Sequence, residues 1–392
     1  MTGDDTAGDV VADLSKQRQS AAAWAEDTPT ARVRVVGTGL LGASLGLALR
    51  AAGVDVTLDD PSPTAACLAR DLGAGRLLDA TQDDPDLVVV AAPPDVVADV
   101  VLEQLRRHPD AVVTDVASVK AALIERVRAG GADLRRFVGG HPLAGRERSG
   151  AVAARGDLFT GRPWVLTPTE ESHVAAVRRV RRVAESVGAV VSVMDAAEHD
   201  KAVAVVSHLP QVAASLVAAR LRELPEPAVA LAGQGVRDVT RIAASDPVLW
   251  TQILAGNADS VRQVLHLAQR DLAELVRSLD ALADSRVTDD VVGARAVLAT
   301  FVAHGNEGHA RIPGKHGAAP TVYTHVPVLV PDRPGELARL LADVGDAGVN
   351  LEDLRLEHSQ GQPVGLAEIA VLPAAAPTLV KALTERGWSV QT

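Results

Sequence analysis

Between Val113 and Gly150 the chain reads VTDVASVKAALIERVRAGGADLRRFVGGHPLAGRERSG. One segment thus carries a serine (Ser118), a lysine (Lys120), an imidazole (His141) and a carboxylate (Glu147), among arginines and glycines that let a ligand approach closely. A small anionic substrate and a proton acceptor are the simplest chemistry for such a set. Histidine suits the acceptor's part because its unperturbed pKa lies near neutrality, so it takes a proton without extreme tuning. What the substrate reacts with must come from the flanking chain.

That reactant is legible upstream. Arg32 to Val36 is a short apolar strand, followed directly by Gly37-Thr38-Gly39-Leu40-Leu41-Gly42. Leu41, Leu45, Ala48 and Ala52 then recur at helical spacing. A second strand, Val54 to Leu58, ends at Asp59 and Asp60, 22 and 23 residues after Gly37. The glycine pattern alone is a weak signal; a strand before it, a helix after it and an acid about 20 residues on make it a dinucleotide fingerprint. Gly37 permits the tight turn, Gly39 lets the backbone approach a pyrophosphate, Gly42 lets helix pack on strand, and the helix N-terminus holds the phosphates. A carboxylate at the end of the second strand binds the adenosine ribose hydroxyls and repels a 2′-phosphate, which selects NAD over NADP. Asp60 is the preferred residue and Asp59 the other candidate.

These groups need a framework. Asp86 to Ala91 is a continuous apolar run, as in a strand buried on both faces of a parallel sheet, and Ala92-Pro93 closes it at the edge where such folds bind ligands. Val112 to Val116 is the next strand, with Ser118 at its C-terminal end, either as a helix N-cap or as a ligand contact. Arg162 to Thr167 and Ala189 to Val193 read as further strands flanking a helix from Val174 to Val187, and the first domain closes near Met194. From Ala196 apolar stripes at helical spacing run without strands to about His304. Val261, Val264, Leu265, Ala268, Leu272, Leu275, Val276 and Leu279 hold one such stripe, and a domain this apolar is expected to pack on a second copy as a homodimer.

Ile312 to Lys315 is a linker. Beyond it the pattern is strand, helix, strand, strand, helix, strand: Val326–Val330, Gly335–Ala347, Leu351–His358, Gly365–Val371, Ala376–Arg386 and Trp388–Gln391. That is the ferredoxin-like, split βαβ order, with Leu337, Leu340, Leu341 and Val344 lining its first helix. The expected organisation is a disordered acidic tail (1–30), a Rossmann-type α/β dinucleotide-binding domain (31–195), an all-α helical substrate and dimerisation domain (196–311) and a ferredoxin-like βαββαβ domain (312–392).

Composition narrows the classes. At 392 residues the chain is too long for a single core. A net charge of −11 and only 2% aromatic residues lack both the basic footprint and the stacking platforms of a nucleic-acid binder. No run of about 18 uncharged apolar residues suggests a membrane span, and the acidic start (Asp4, Asp5, Asp9) is unlike a signal peptide, so a cytoplasmic protein is expected. A lone cysteine, Cys67, is incompatible with an internal disulfide or a multi-cysteine metal centre, and no metal is expected.

Taken together, these residues resemble the TyrA family, the prephenate and arogenate dehydrogenases of tyrosine biosynthesis, with a C-terminal ACT domain. The resemblance covers about residues 32 to 392. It rests on VTDVASVK (113–120), GGHPLAGRERSG (139–150), HDKAVAVVSHLP (199–210) and GVRDVTRIAASDPVLW (235–250), with PDRPGEL (331–337) and AGVNLEDLRLEH (347–358) as the ACT-like pieces. It implies NAD-dependent oxidative decarboxylation of prephenate to 4-hydroxyphenylpyruvate. It further implies that His141 accepts the hydroxyl proton while Ser118 bonds the same hydroxyl or orients His141 and the nicotinamide. Arg241 would pair with a substrate carboxylate, His208 would contact the substrate's side-chain end, Glu147 would gate access, and Lys120 is carried as a possible substrate contact.

Pro210 cannot donate to the Val206 carbonyl, so a kink is expected there. His199, nine positions before His208, falls half a turn out of phase on a straight helix, and His199-Asp200 therefore reads as structural or as part of a domain junction. Arg146 and Gln211 stand where the family more often has Thr and His, which leaves prephenate and arogenate both open as substrates. The ACT-like part implies regulation by L-tyrosine, with Asp332, Gly335, Gly348, Val349 and Asn350 as candidate contacts. A protein that binds NAD and an amino acid without catalysis is the reading from a different class; it would be marked by loss of the base or of the carboxylate-binding arginine, and His141 and Arg241 are both present.

Overall fold

The computed structural model describes residues 32–78, 84–145, 150–284, 293–313, 322–358 and 363–391. The expected tail, Arg146, Glu147 and the end of the expected linker lie outside the described residues. Two compact units divide between Leu267 and Ala268.

The first unit is built on eight strands: β1 (Arg32–Val36), β2 (Asp55–Asp59), β3 (Arg76–Leu77), β4 (Leu87–Val90), β5 (Val112–Asp115), β6 (Phe137–Pro142), β7 (Pro163–Pro168) and β8 (Val190–Val193). Their order across the sheet is β3-β2-β1-β4-β5-β6-β7-β8. Runs such as LVVV and VVTD are buried at every position, as expected where helices cover both faces. Five helices do so: α1 (Leu40–Ala51), α2 (Pro63–Asp71), α3 (Val97–Arg107), α4 (Ala121–Ala129) and α5 (Val174–Ser186). Leu45 and Leu49 of α1 and Val180 and Val183 of α5 pack on one face with Val33, Val35, Leu87 and Val89. Val101 and Leu105 of α3 and Leu123 and Ile124 of α4 cover the other with Val88, Val90 and Val113.

Strand order reverses between β1 and β4, which both pair in parallel with their neighbours. Such a switch point opens a crevice at the carboxyl ends of the strands. One departure from a parallel sheet occurs at β6 and β7, which pair antiparallel.

Helices follow: α6 (Ala196–Val203), a π turn (Ala204–His208), α7 (Leu209–Leu221), α8 (Glu226–Val229), α9 (Gln234–Thr240), a 3₁₀ turn (Arg241–Ala243), α10 (Pro247–Gly256) and α11 (Ala258–Asp284), within which the two units divide. The stretch Ala196–Leu221 has the length and apolar composition of a membrane span. It also buries His199, Asp200 and His208 in contacts with protein groups.

The second unit contains α12 (Ala294–His309), then β9 (Thr324–Pro331), α13 (Glu336–Asp346), β10 (Asp353–His358), β11 (Val364–Val371), α14 (Ala376–Glu385) and β12 (Ser389–Val390). Its antiparallel sheet runs β10-β11-β9-β12, over a core that includes Val328, Leu340, Val344, Ile369, Leu379, Leu383 and Trp388. Leu341, expected to line α13 on the core side, is exposed; Leu337, Leu340 and Val344 already fill the face that packs on the sheet.

Candidate active site

The glycine turn after β1 is shaped by what it must avoid. Gly37 has φ +95°, and a Cβ there would lie 2.4 Å from the Ala91 carbonyl at the end of β4. A Cβ on Gly42 would lie 1.9 Å from the Gly37 carbonyl, so α1 approaches the turn only without a side chain at that position. At Gly39 a Cβ would meet nothing within 4 Å, which leaves the backbone open to a ligand. No side chain caps the Gly39 end of α1, so its first N–H groups remain available to an anion.

Asp60 Oδ2 accepts from the Thr38 backbone N–H at 2.7 Å and from its hydroxyl at 2.8 Å, while Oδ1 accepts from Ser62 N–H at 2.8 Å. The carboxylate of Asp60 is therefore the one on the turn. Asp59 contributes its backbone carbonyl to Gly37 N–H at 2.8 Å, and its charge acts on Arg34 and His108. Leu40 and Leu41 are half-buried in the first turn of α1. Ala92 is half-buried and Pro93 exposed after β4, and the Pro93 carbonyl accepts from Val96 and Val97 as α3 begins. An open Gly39 backbone, an uncapped helix end and a carboxylate on the turn fit a dinucleotide.

The substrate side is assembled around β5 and β6. Ser118 is half-buried in the loop after β5. It does not cap α4: the Lys120 and Ala121 N–H groups that begin that helix donate instead to Asp200 Oδ1 and Oδ2, at 2.9 and 2.8 Å. Lys120 is fully buried, its ammonium bonded to Asp115 and, at 2.8 Å, to the Gly140 carbonyl. The expected substrate contact through Lys120 is thus replaced by an internal one, which ties β5 to the strand that carries His141. Burial pushes the Lys120 ammonium down and Asp115 pulls it back up.

His141, next to last in β6, is 7% exposed. Its Nδ1 lies 2.8 Å from His199 Nε2, and His199 Nδ1 lies 2.8 Å from Asp200 Oδ1. Burial above all, then the neighbouring His199, Lys120 and His208, holds the His141 imidazole well below its usual pKa. His199 thus abuts the candidate base and Asp200 backs His199, where α6 meets β6; this agrees with the domain-junction reading of the pair and adds a contact with His141 that the straight-helix phase does not foretell. In the structure a π turn, Ala204–His208, intervenes just before Pro210. A π turn holds more residues per turn than an α-helix, so it shifts the phase between His199 and His208, and it accommodates the missing proline donor where a kink was expected.

His208 is 1% exposed and meets the Trp250 ring edge-on at 6.0 Å between centroids. Asn257 Nδ2 donates to the Asp200 carbonyl at 2.7 Å and lies 3.3 Å from His208 Nδ1. The carbonyl fixes which end of the amide is nitrogen, so His208 Nδ1 accepts and its neutral form carries the proton on Nε2. Trp250 and Asn257 escaped the sequence reading; in a chain with four tryptophans, the one closing a matched block was the available signal. Arg241 is exposed at the start of the 3₁₀ turn after α9. Gln211 is buried, within reach of Ser215 and Ser245.

In the second unit, Asp332 is exposed before α13, Gly335 caps that helix with φ +92°, and Gly348 and exposed Asn350 follow its other end. Eleven residues of helix place these pairs about 16 Å apart, so they do not form one site within a chain. Val349 is a core residue.

A nucleotide turn at the switch point of a doubly wound sheet, with a buried imidazole on β6, two strands from β4, defines a dinucleotide-dependent dehydrogenase. Residues 45–193 match the nucleotide-binding domain of prephenate dehydrogenase and residues 195–289 its dimerization domain. The chain is 40% identical over 356 residues to "Probable prephenate dehydrogenase NovF" of Streptomyces niveus, covering 90% of this chain and 98% of that relative. It is 32% identical to a cyclohexadienyl dehydrogenase of Zymomonas mobilis, over 62% of this chain and 86% of the relative. Among solved structures, prephenate dehydrogenase from A. aeolicus in complex with hydroxyphenyl propionate and NAD⁺ is similar with TM-score 0.61 and 29% identity, over 72% of this chain and 99% of that one. Synechocystis arogenate dehydrogenase is similar with TM-score 0.57 and 26% identity, over 71% and 99%. The chain belongs to the prephenate dehydrogenase family.

Proposed function

We propose that the chain is an NAD-dependent prephenate dehydrogenase that converts prephenate to 4-hydroxyphenylpyruvate and CO₂, with His141 as the base. The observation that carries this reading is the buried imidazole of His141, held by burial below its usual pKa, on the strand after the Ser118 loop, in a sheet whose switch point bears the open glycine turn. NAD⁺, when bound, takes the hydride from the ring carbinol carbon.

His141 Nε2 receives the carbinol proton, Ser118 bonds the same oxygen, and Arg241 pairs its planar fork with a substrate carboxylate. His208, with its Nε2–H, donates to the substrate's side-chain end. Loss of CO₂ makes the ring aromatic and supplies the driving force, so alignment and one proton acceptor are what the protein must provide. Glu147 is retained as the residue that gates access.

The βαββαβ unit from Thr324 to Val390 has the strand order of a ferredoxin-like fold, which supports an ACT-type regulatory domain responding to L-tyrosine. Asp332, Gly335, Gly348 and Asn350 are its contact candidates, drawn from two copies of a homodimer. The domain limits at 195 and 311 and a cytoplasmic location belong to the same reading.

The test is NADH formation by the purified chain with prephenate and with arogenate, each with and without L-tyrosine. Turnover of prephenate, reduced by tyrosine, is expected. Preference for arogenate would move the enzyme to the aminated substrate, and turnover of neither would favour a binding protein without catalysis.

A further inference from the structure

We propose that His199 and Asp200 are positioning residues that fix the tautomer and ring plane of His141, so that its Nε2 faces the substrate as the proton acceptor. The proposal rests on the reading of His141 as the base. It starts from Asp200, 4% exposed, whose two oxygens accept the Lys120 and Ala121 N–H groups at the N-terminus of α4. A helix N-terminus favours a carboxylate in its charged form, and a charged carboxylate only accepts. Facing Asp200 Oδ1 at 2.8 Å, His199 Nδ1 must therefore be the donor.

In neutral His199 the other ring nitrogen then has a lone pair and no proton. It lies 2.8 Å from His141 Nδ1, so His141 Nδ1 donates and His141 Nε2 is left bare. The tautomer of the base thus follows from the N-terminus of a helix, through one carboxylate and one imidazole. The two rings meet edge-on, at 78° and 5.1 Å between centroids.

Among the described residues, the titratable groups that act on His141 are His199 of α6, Lys120 before α4 and His208 of the π turn, and with burial they all disfavour its charged form. Asp200 faces His199 and Asp115 faces Lys120, so His141 meets the carboxylate of Asp200 only through His199, in the order of an orienting carboxylate, an imidazole and a base.

The experiment compares unaltered protein with His199→Leu, His199→Gln and His141→Asn. Steady-state kinetics with prephenate over pH 5 to 9, NADH binding and the imidazole ¹⁵N spectrum are measured on each. His199→Leu is expected to lower kcat about 10²-fold or more, with NADH binding and the KM for NAD⁺ unchanged. It should also turn the His141 signal from Nδ1–H to a mixture of tautomers and displace the acidic limb of the rate profile. His199→Gln can accept the His141 Nδ1–H through Oε1 and should recover part of the rate, which a merely space-filling role would not predict. Should the leucine variant not fold, the ¹⁵N tautomer of unaltered protein and the glutamine variant still decide: His141 protonated on Nε2 in the unaltered protein overturns the proposal. Unaltered turnover, pH limb and tautomer in His199→Leu also overturn it, provided His141→Asn has lost turnover. Normal turnover in His141→Asn would instead overturn the assignment of the base.

Discussion

Asp60 holds Thr38 by two hydrogen bonds to one carboxylate oxygen, from the backbone N–H at 2.7 Å and from the hydroxyl at 2.8 Å. The carboxylate thus braces the glycine turn from outside, just past the end of β2, and is the proposed partner of the adenosine ribose. Hydrogen bonds to charged groups contribute about 1.5–3 kcal/mol. Asp60→Ala is therefore expected to weaken NADH binding roughly 10- to 100-fold and to relax discrimination against NADPH, as read by fluorescence titration. Asp59→Ala should stay within about threefold of the unaltered protein; the reverse ranking would transfer the ribose contact to Asp59.

Lys120 and Asp115 form a buried pair beneath the site. Removing one member of such a pair strands a charge and costs about 3–5 kcal/mol, whereas removing both is far less costly. Lys120→Met should lower the urea midpoint sharply, and the double variant with Asp115→Leu should recover part of the loss. Recovery cannot be complete, because Asp115 also accepts from Ala117 N–H at 2.8 Å. A Lys120→Met protein of normal stability with a raised KM for substrate would instead make Lys120 a substrate contact.

Three buried histidines have depressed pKa values. His108 is pushed down to about 4 by burial and then by the charges of Arg34 and Arg107. His141 and His208 are also lowered, burial being the largest cause in each. Above about 6.5 the folded and unfolded chains are alike in leaving these groups neutral. As pH falls below that value the unfolded chain binds protons that the folded chain refuses, so stability drops with pH from about 6.5 towards 4. The part due to His108 should be on the order of 2 kcal/mol between pH 7 and pH 5 in urea titrations, with His141 and His208 adding in the same direction. His108→Gln should flatten that dependence, and an unchanged slope would remove His108 as a source.

Asn257 orients His208 so that its free nitrogen donates. Asn257→Leu should raise the KM for prephenate about 10-fold, the equivalent of about 1.4 kcal/mol, with NADH binding unchanged. No change in KM would place His208 away from the substrate.

Much of the framework was legible because its signals are local. β1 and the glycine turn coincide with the expected positions, and the buried runs of β4 and β5 are shifted by only a residue or so. The βαββαβ order of the last 70 or so residues followed from alternating periodicities alone. Two-residue β3 was invisible, since Arg76-Leu77 has no period to detect. The antiparallel pairing of β7 on β6 was equally hidden, because strand direction is decided by the path of the intervening loop.

At the site, His141, Ser118 and His208 stand out through their motifs, whereas nothing local to Lys120, expected as a substrate contact, signals its pairing with Asp115. The contact of His199 with His141 was not legible, because a π turn changes helical phase without leaving a mark in composition. Asn257 acts through two contacts made 49 and 57 residues away, which no local pattern records.

The most direct test of the central claim is the turnover of His141→Asn with prephenate and NAD⁺, measured beside its affinity for NADH. A fall in kcat of roughly 10²–10⁴-fold with unchanged NADH affinity is the predicted result. Turnover close to that of the unaltered protein would contradict the assignment of His141 as the base.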